Sequence, residues 1–131
     1  MGLDFTWAKR NEEETAHWAY SGFNRFRERL AAEIGVNLRE MAGFEEWRMT
    51  IFTPKEGESG KSWDTVKDPL KHFLNHSDCD GQLSPKRCGV IAERIDELTK
   101  DWDEDYDKEQ AKILVRNMRI CFRENVPLKF T

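Results

Sequence analysis

The run Asn75-His76-Ser77-Asp78-Cys79-Asp80-Gly81 puts an imidazole, a thiol and two carboxylates into seven consecutive residues. Residue types of this kind can do several things. His72 and His76 stand four apart, so on one helix both imidazoles face the same way, and Asp78, Cys79, Asp80 or Cys88 could complete a transition-metal site. A mixed set of that kind matches no closed structural zinc pattern. It would leave a position open for an activated water, which is the plan of a metal-dependent hydrolase centred on His76, Asp78 and Asp80. Read as a calcium loop, with Asp80-Gly81 at positions five and six, the run places Arg87 where a bidentate carboxylate is required, so it is half a calcium site. Cys79 beside His76, with Asp78 or Asp80 to orient the ring, has the parts of a nucleophilic centre, although close sequence neighbours rarely reach that geometry. The plainest reading is a turn between two helices. Asp78 and Asp80 then make Asx turns, Gly81 supplies a positive φ and His76 caps the preceding helix. Asn75, His76, Asp78 and Asp80 would also serve as a binding loop for a polar ligand.

Cations form the second group. Arg25 and Arg29 lie four apart, and Lys112, Arg116, Arg119 and Arg123 are spaced four, three and four, one stripe of a helix. A guanidinium holds a phosphate or carboxylate through paired hydrogen bonds. Arg25, Arg29 and Arg116 are therefore candidate contacts for an anionic ligand, with Trp63 as an aromatic wall beside them. The competing reading is a set of solvated helix faces, since Glu28, Glu109 and Glu124 stand nearby. The remaining tryptophans, Trp7, Trp18, Trp47 and Trp102, read as core. The acidic stretch 101–109 reads as a helix start, or as a surface for a basic protein partner.

The elements that must position these groups follow from spacing. Phe23, Phe26, Leu30 and Ile34 make a helical stripe, with Ser21 as the expected N-cap and Gly35 as the stop. Asn37 to Met41 reads as one helical turn. Asp68-Pro69 and Ser84-Pro85 are both N-cap and N1 pairs. The first opens a short helix carrying Leu70, Phe73 and Leu74. The second opens a longer one carrying Cys88, Ile91, Ala92, Ile95 and Leu98. A last helix over about 107–124 carries Ala111, Leu114, Met118 and Cys121, widened by Val115 and Phe122. Alternation at 3–7, 45–52 and 126–130 predicts a small sheet, and TPKEGESGKS over 53–62 reads as a mobile surface loop.

Composition bounds what such a chain can be. It has 131 residues, the size of one domain spanning 1–131. No run approaches about 18 apolar residues, which argues against a membrane span. The net charge of −4 counts against a general nucleic-acid binder. Three cysteines with no CxxC point to a reduced setting, and MGLDFTWAKR lacks the apolar core of a secretory signal, so the expected location is cytoplasmic.

Two segments, YSGFNRFRERLA at 20–31 and LNHSDCDGQLSP at 74–85, resemble a family of small uncharacterised proteins encoded by actinobacteria, other bacteria and their phages. The likeness runs loosely from Ala19 to Phe130 and leaves out 1–18 and 53–62. It implies a bacterial or phage origin and a shared fold, and it transfers no activity.

Together these readings predict a mainly α domain, a compact bundle of four to five helices with a small two- or three-stranded sheet. The expected function is a non-enzymatic binding protein for a polar or anionic small ligand, such as a nucleotide signal in host defence, or for a host protein. A metal-dependent hydrolase is the alternative. The residues name no cofactor and leave self-association open. Three apolar stripes can be buried only against one another. Leu114→Ala is therefore expected to lower stability by about 2–5 kcal/mol in urea unfolding, and an unshifted midpoint would refute that core.

Overall fold

The computed structural model describes residues 2–7, 14–41, 62–75 and 81–130. In chain order these form strand β1 (Leu3–Thr6), strand β2 (His17–Trp18), helix α1 (Tyr20–Glu33), a short helix α2 (Lys71–Leu74), strand β3 (Gln82–Leu83), helix α3 (Pro85–Thr99), helix α4 (Tyr106–Glu124) and strand β4 (Leu128–Phe130). Single 3₁₀ turns lie at Leu38–Glu40 and Trp63–Thr65. The fold is mainly α with a small sheet, as expected. The sheet has four strands in the order β2-β1-β4-β3, all antiparallel. Strands β1 and β4 fall on two of the alternating segments. The third, 45–52, lies outside the described residues, as do residues 53–61 of the expected loop. The two-residue strands β2 and β3 are too short to show a period of their own.

Start signals explain the helix boundaries. Ser84 Oγ accepts from the Arg87 N–H at 3.3 Å, with Pro85 in the first turn, so the Ser-Pro reading holds. The Asp68-Pro69 reading shifts: Asp68 Oδ1 accepts from the Leu70 N–H at 3.0 Å in a turn ahead of the helix, and α2 begins at Lys71 with Leu70 as its N-cap. Asp105 caps α4 through the Lys108 N–H at 2.9 Å, which starts that helix at Tyr106. The expected Ser21 cap is not used. Helix α1 begins at Tyr20, its N-cap is Ala19, and no side chain caps it. At the other end Gly35 takes a φ of 76°. The Val36 and Gly35 N–H groups bond back to Ala31 and Ala32 at 2.8 and 3.0 Å, closing the helix as a Schellman turn. Asn125, at φ 56°, closes α4 the same way and turns the chain into β4.

The core joins the inner face of the sheet to α1 and then to the α3–α4 hairpin. Leu3, Phe5, Leu128 and Phe130 point inward, while Asp4 and Lys129 alternate outward. Phe23, Phe26, Leu30, Ile91, Ile95, Leu114 and Met118 are buried as their spacing requires. Two stripe positions depart from expectation. Leu98 is only partly buried, and Phe122 is 55 % exposed, its ring lying across Gly89 on the outer side of α3. Trp7 and Trp18 are buried, Trp63 and Trp102 partly so, and Trp47 lies outside the described residues. Cys88 and Cys121 meet as buried thiols between α3 and α4; the hydrogen bond that Cys121 donates to Cys88, and then burial, keep Cys121 far above its ordinary pKa.

Segment 14–18 has no helix or long strand to satisfy its backbone, and α4 supplies the missing partners. Asn117, 1 % exposed, accepts from the Ala16 N–H at 3.0 Å and donates to the Glu14 carbonyl at 2.9 Å. Gln110 accepts from the His17 N–H at 2.9 Å, and the Tyr106 hydroxyl donates to the His17 carbonyl at 2.7 Å. Tyr106, Gln110 and Asn117 are spaced four and seven, one face of the helix. A buried donor or acceptor left unmade costs about 1–3 kcal/mol. Asn117→Ala is therefore expected to destabilise the protein by about 2–4 kcal/mol, read as a lowered urea midpoint with unchanged slope.

Candidate ligand-binding cleft

The N-termini of α1 and α4 open on one cleft of about 550 Å³, lined by His17, Trp18, Gly22, Arg25, Asp105, Tyr106 and Asp107. Their convergence follows from the strap just described. With 14–18 fixed along α4, α1 must start beside the first turn of that helix. Trp18 then lies 1 % exposed, stacked on Phe26 at a centroid distance of 4.5 Å, with its indole N–H donating to Asp107 at 3.1 Å.

Charge in this cleft is set by one arginine. Arg29 donates to Asp107 at 2.8 Å and to Asp105 at 3.1 Å, and its guanidinium lies 3.9 Å from the Trp102 ring centre. Burial alone would lower the Arg29 pKa; the bonds to Asp107 and Asp105 outweigh it and hold it above the ordinary value. Asp105 is held below its ordinary value, first by the Lys108 backbone N–H, against the opposing effect of burial, and with a further contribution from Arg29. The Tyr106 phenol is held above its ordinary value, first by burial and then by Glu109 and Asp107, so it remains a donor. Arg25 has no hydrogen bond or ion pair to another described residue. It stands beside an α1 N-terminus with no side-chain cap and no acidic residue in its first turn.

The expected ligand set is thus only partly brought together. Arg25 lines the cleft, and Arg29 closes its floor against Asp105 and Asp107. Arg116 is elsewhere: it pairs with Glu14 at 3.5 Å, some three turns along α4 from Asp105. The expected convergence of Arg25 and Arg29 with the α4 stripe does not occur, because the α4 N-terminal carboxylates capture Arg29 first. The stripe itself is spent on exposed pairs, Lys112–Glu104 at 3.4 Å, Arg119–Asp96 at 3.5 Å and Arg123–Glu124 at 3.8 Å. Trp63 opens the 3₁₀ turn that leads to a second cleft, of about 510 Å³, lined by Gly35, Val36, Glu40, Lys67, Asp68 and Arg94 at the far end of α1. There Arg94 is already held by Asp68 at 2.7 Å.

His76, Asp78 and Asp80, with Cys79, lie outside the described residues. Of that loop the structure describes its two ends. Asn75 ends α2, its N–H donating to the Lys71 carbonyl at 2.8 Å, and Gly81 takes the expected positive φ, 97°, while its carbonyl accepts from the Phe130 N–H at 2.9 Å. Burial, then Arg87 and Lys71, lower the pKa of His72. Among the described residues no group of three or more His, Cys, Asp or Glu could hold a metal ion.

Sequence reasoning missed Arg27. It is 3 % exposed, donates to the Leu74 carbonyl at 3.3 Å and to Asn24, and lies 4.8 Å from the Phe23 ring centre. Its place in the sequence was a usable signal, since it stands four after Phe23 and three before Leu30, inside the apolar stripe. Tyr106 and His17 were missed as well; neither belongs to a motif.

No family model, curated protein or solved structure matches this chain. Among the described residues no helix is long and apolar enough to cross a membrane.

The cleft carboxylate Asp105 has a pH consequence. Its folded-state pKa lies below the ordinary 3.8, so it stabilises the fold above that pH and the contribution is lost as pH falls through the folded value. Asp105→Asn keeps a cap oxygen for Lys108 but does not titrate. Its stability is expected to fall less steeply than the parent's below about pH 4, followed by urea unfolding across the acid range.

Proposed function

We propose that this protein is a binding protein without catalytic activity, and that it takes a small anionic ligand in the cleft between the α1 and α4 N-termini. One observation carries this reading: the Arg25 guanidinium stands in a cleft of about 550 Å³, without a described partner, beside the first turn of α1, which no side chain caps. Open N–H groups at a helix N-terminus favour negative charge, and an arginine fork adds two directed donors. Asp105 and Asp107 oppose an anion; Arg29 offsets one of their two charges, and their other oxygens are engaged by the Lys108 N–H and the Trp18 indole. The exposed ring of Tyr106 offers a flat apolar wall for the rest of the ligand. A phosphate-bearing ligand with a planar ring, a nucleotide, suits that combination. A nucleotide signal of host defence, in a bacterial or phage cytoplasm, is the narrower form of this reading.

The same contacts take up three of the carboxylates that a protein partner would meet on the acidic stretch 101–109, and leave Asp101, Asp103 and Glu109 exposed. Asp105 and Asp107 are engaged by α4 and Arg29, and Glu104 pairs with Lys108 at 3.3 Å and with Lys112.

Calorimetric titration of linear and cyclic nucleotides, with inorganic phosphate as the minimal probe, tests the reading. Binding tighter than about 1 mM is expected for at least one nucleotide. Arg25→Lys should weaken it about tenfold, since lysine cannot reproduce the fork, while Arg116→Lys should leave it unchanged. Binding that is absent below millimolar concentration, or indifferent to Arg25, would overturn the assignment.

A further inference from the structure

Helices α3 and α4 form an antiparallel hairpin whose outer face carries carboxylates over the second half of α3 and cations along α4, with the exposed Lys86 and Lys100 at the two ends of α3. Helix α3 turns Glu93, Asp96 and Glu97 outward; α4 turns out Lys112, Arg116, Arg119 and Arg123. At one end of this face the charge gives way to apolar surface. Phe122 is 55 % exposed and Val90 48 % exposed; with Tyr106 they are the large exposed hydrophobic residues among those described. Phe122 is not loosely held. Its ring lies so close over Gly89 that a Cβ there would stand 2.5 Å from a ring carbon, so the glycine is what lets the ring lie across α3. Gly89, Val90, Glu93, Arg119 and Phe122 line one shallow groove of about 340 Å³. Glu93 and Arg119 are therefore level with each other across the hairpin, as are Val90 and Phe122. Glu93 forms no ion pair with a described residue, and Arg119 has only a 3.5 Å contact to Asp96 between two exposed side chains.

We propose that this face docks a second copy of the chain, with α3 of one protomer lying along α4 of its partner. A twofold axis parallel to the two helices exchanges α3 and α4 across the interface while keeping each residue at its own level. The two levels of the groove therefore meet their complements. Glu93 faces the partner's Arg119, Val90 faces the partner's Phe122, and both contacts occur twice. Such an interface is isologous, the same patch used on both subunits. Its apolar part is small and lies at one end, and its charges are exposed, so the dimer is weak and sensitive to salt. The face lies on the α3–α4 hairpin, apart from the residues lining the α1–α4 cleft, so the proposal stands or falls independently of ligand binding.

Two single charge reversals and their mixture test it. The parent protein is expected to show a concentration-dependent dimer by light scattering or sedimentation between about 10 μM and 1 mM, weakened by added salt. Glu93→Arg alone sets arginine against the partner's Arg119, and Arg119→Glu alone sets glutamate against the partner's Glu93. Each should raise the dissociation constant about tenfold or more, with the far-ultraviolet spectrum unchanged. Mixed in equal amounts, the two variants restore both pairs, and native mass spectrometry should then find the heterodimer in preference to either homodimer. A parent protein that stays monomeric at 1 mM, a dimer indifferent to either reversal, or a mixture that forms no heterodimer would each overturn the proposal.

Discussion

Asn117 carries an unusual share of this structure. A buried amide on the inner face of α4, it satisfies the Ala16 N–H and the Glu14 carbonyl of a segment that has almost no regular structure of its own. Gln110 and Tyr106 extend the same arrangement to both backbone groups of His17. Backbone polar groups near a core must find partners. Here a helix face of polar side chains stands where a neighbouring strand would usually be. Strand β2 is held on one edge by β1 and on the other by α4, and the entry angle of α1 follows from that.

Everything at the cleft depends on this placement. Trp18 is carried into the core, where it touches Phe5, Phe23 and Phe26. Those rings, with Phe73 and Phe130, connect the sheet to α1 and α2 in one aromatic cluster. The indole N–H needs an acceptor at the edge of that cluster, and Asp107 provides it. Asp107 is then shared with Arg29, which also reaches Asp105 and Trp102. Arg29 thereby ties α1 to the stretch 102–107 and offsets one of the two charges on Asp105 and Asp107. Its neighbour Arg25 is left as the cleft's cation without a described partner.

Two helix starts with different chemistry meet here. Helix α4 begins with Asp105, Asp107 and Glu109, which complement its dipole and occupy its first turn. Helix α1 begins with Ala19, Tyr20, Ser21 and Gly22, and none of these caps it. Within the acidic stretch 101–109, Glu104, Asp105 and Asp107 serve the fold: they cap α4, anchor Trp18 and Arg29, and pair with Lys108 and Lys112.

The sequence by itself determined the helical class, the Ser-Pro start of α3 and most of the core. These are local matters. A Ser-Pro or Asp-Pro pair acts within one turn, and a 3.6-residue stripe records which face a helix must bury. It also determined the positive φ at Gly81 and the alternation of β1 and β4. Strands β2 and β3 were not legible, since two residues define no period and the pairing energy comes from partners more than ten residues away. The fate of the arginines was not legible either. Arg25, Arg27 and Arg29 occupy one helix within five residues, yet one lines a cleft, one is buried against Phe23 and Leu74, and one is bound to α4. Only the tertiary structure decided that, because a long charged side chain takes its role from whatever carboxylate, carbonyl or ring the rest of the fold brings within its reach.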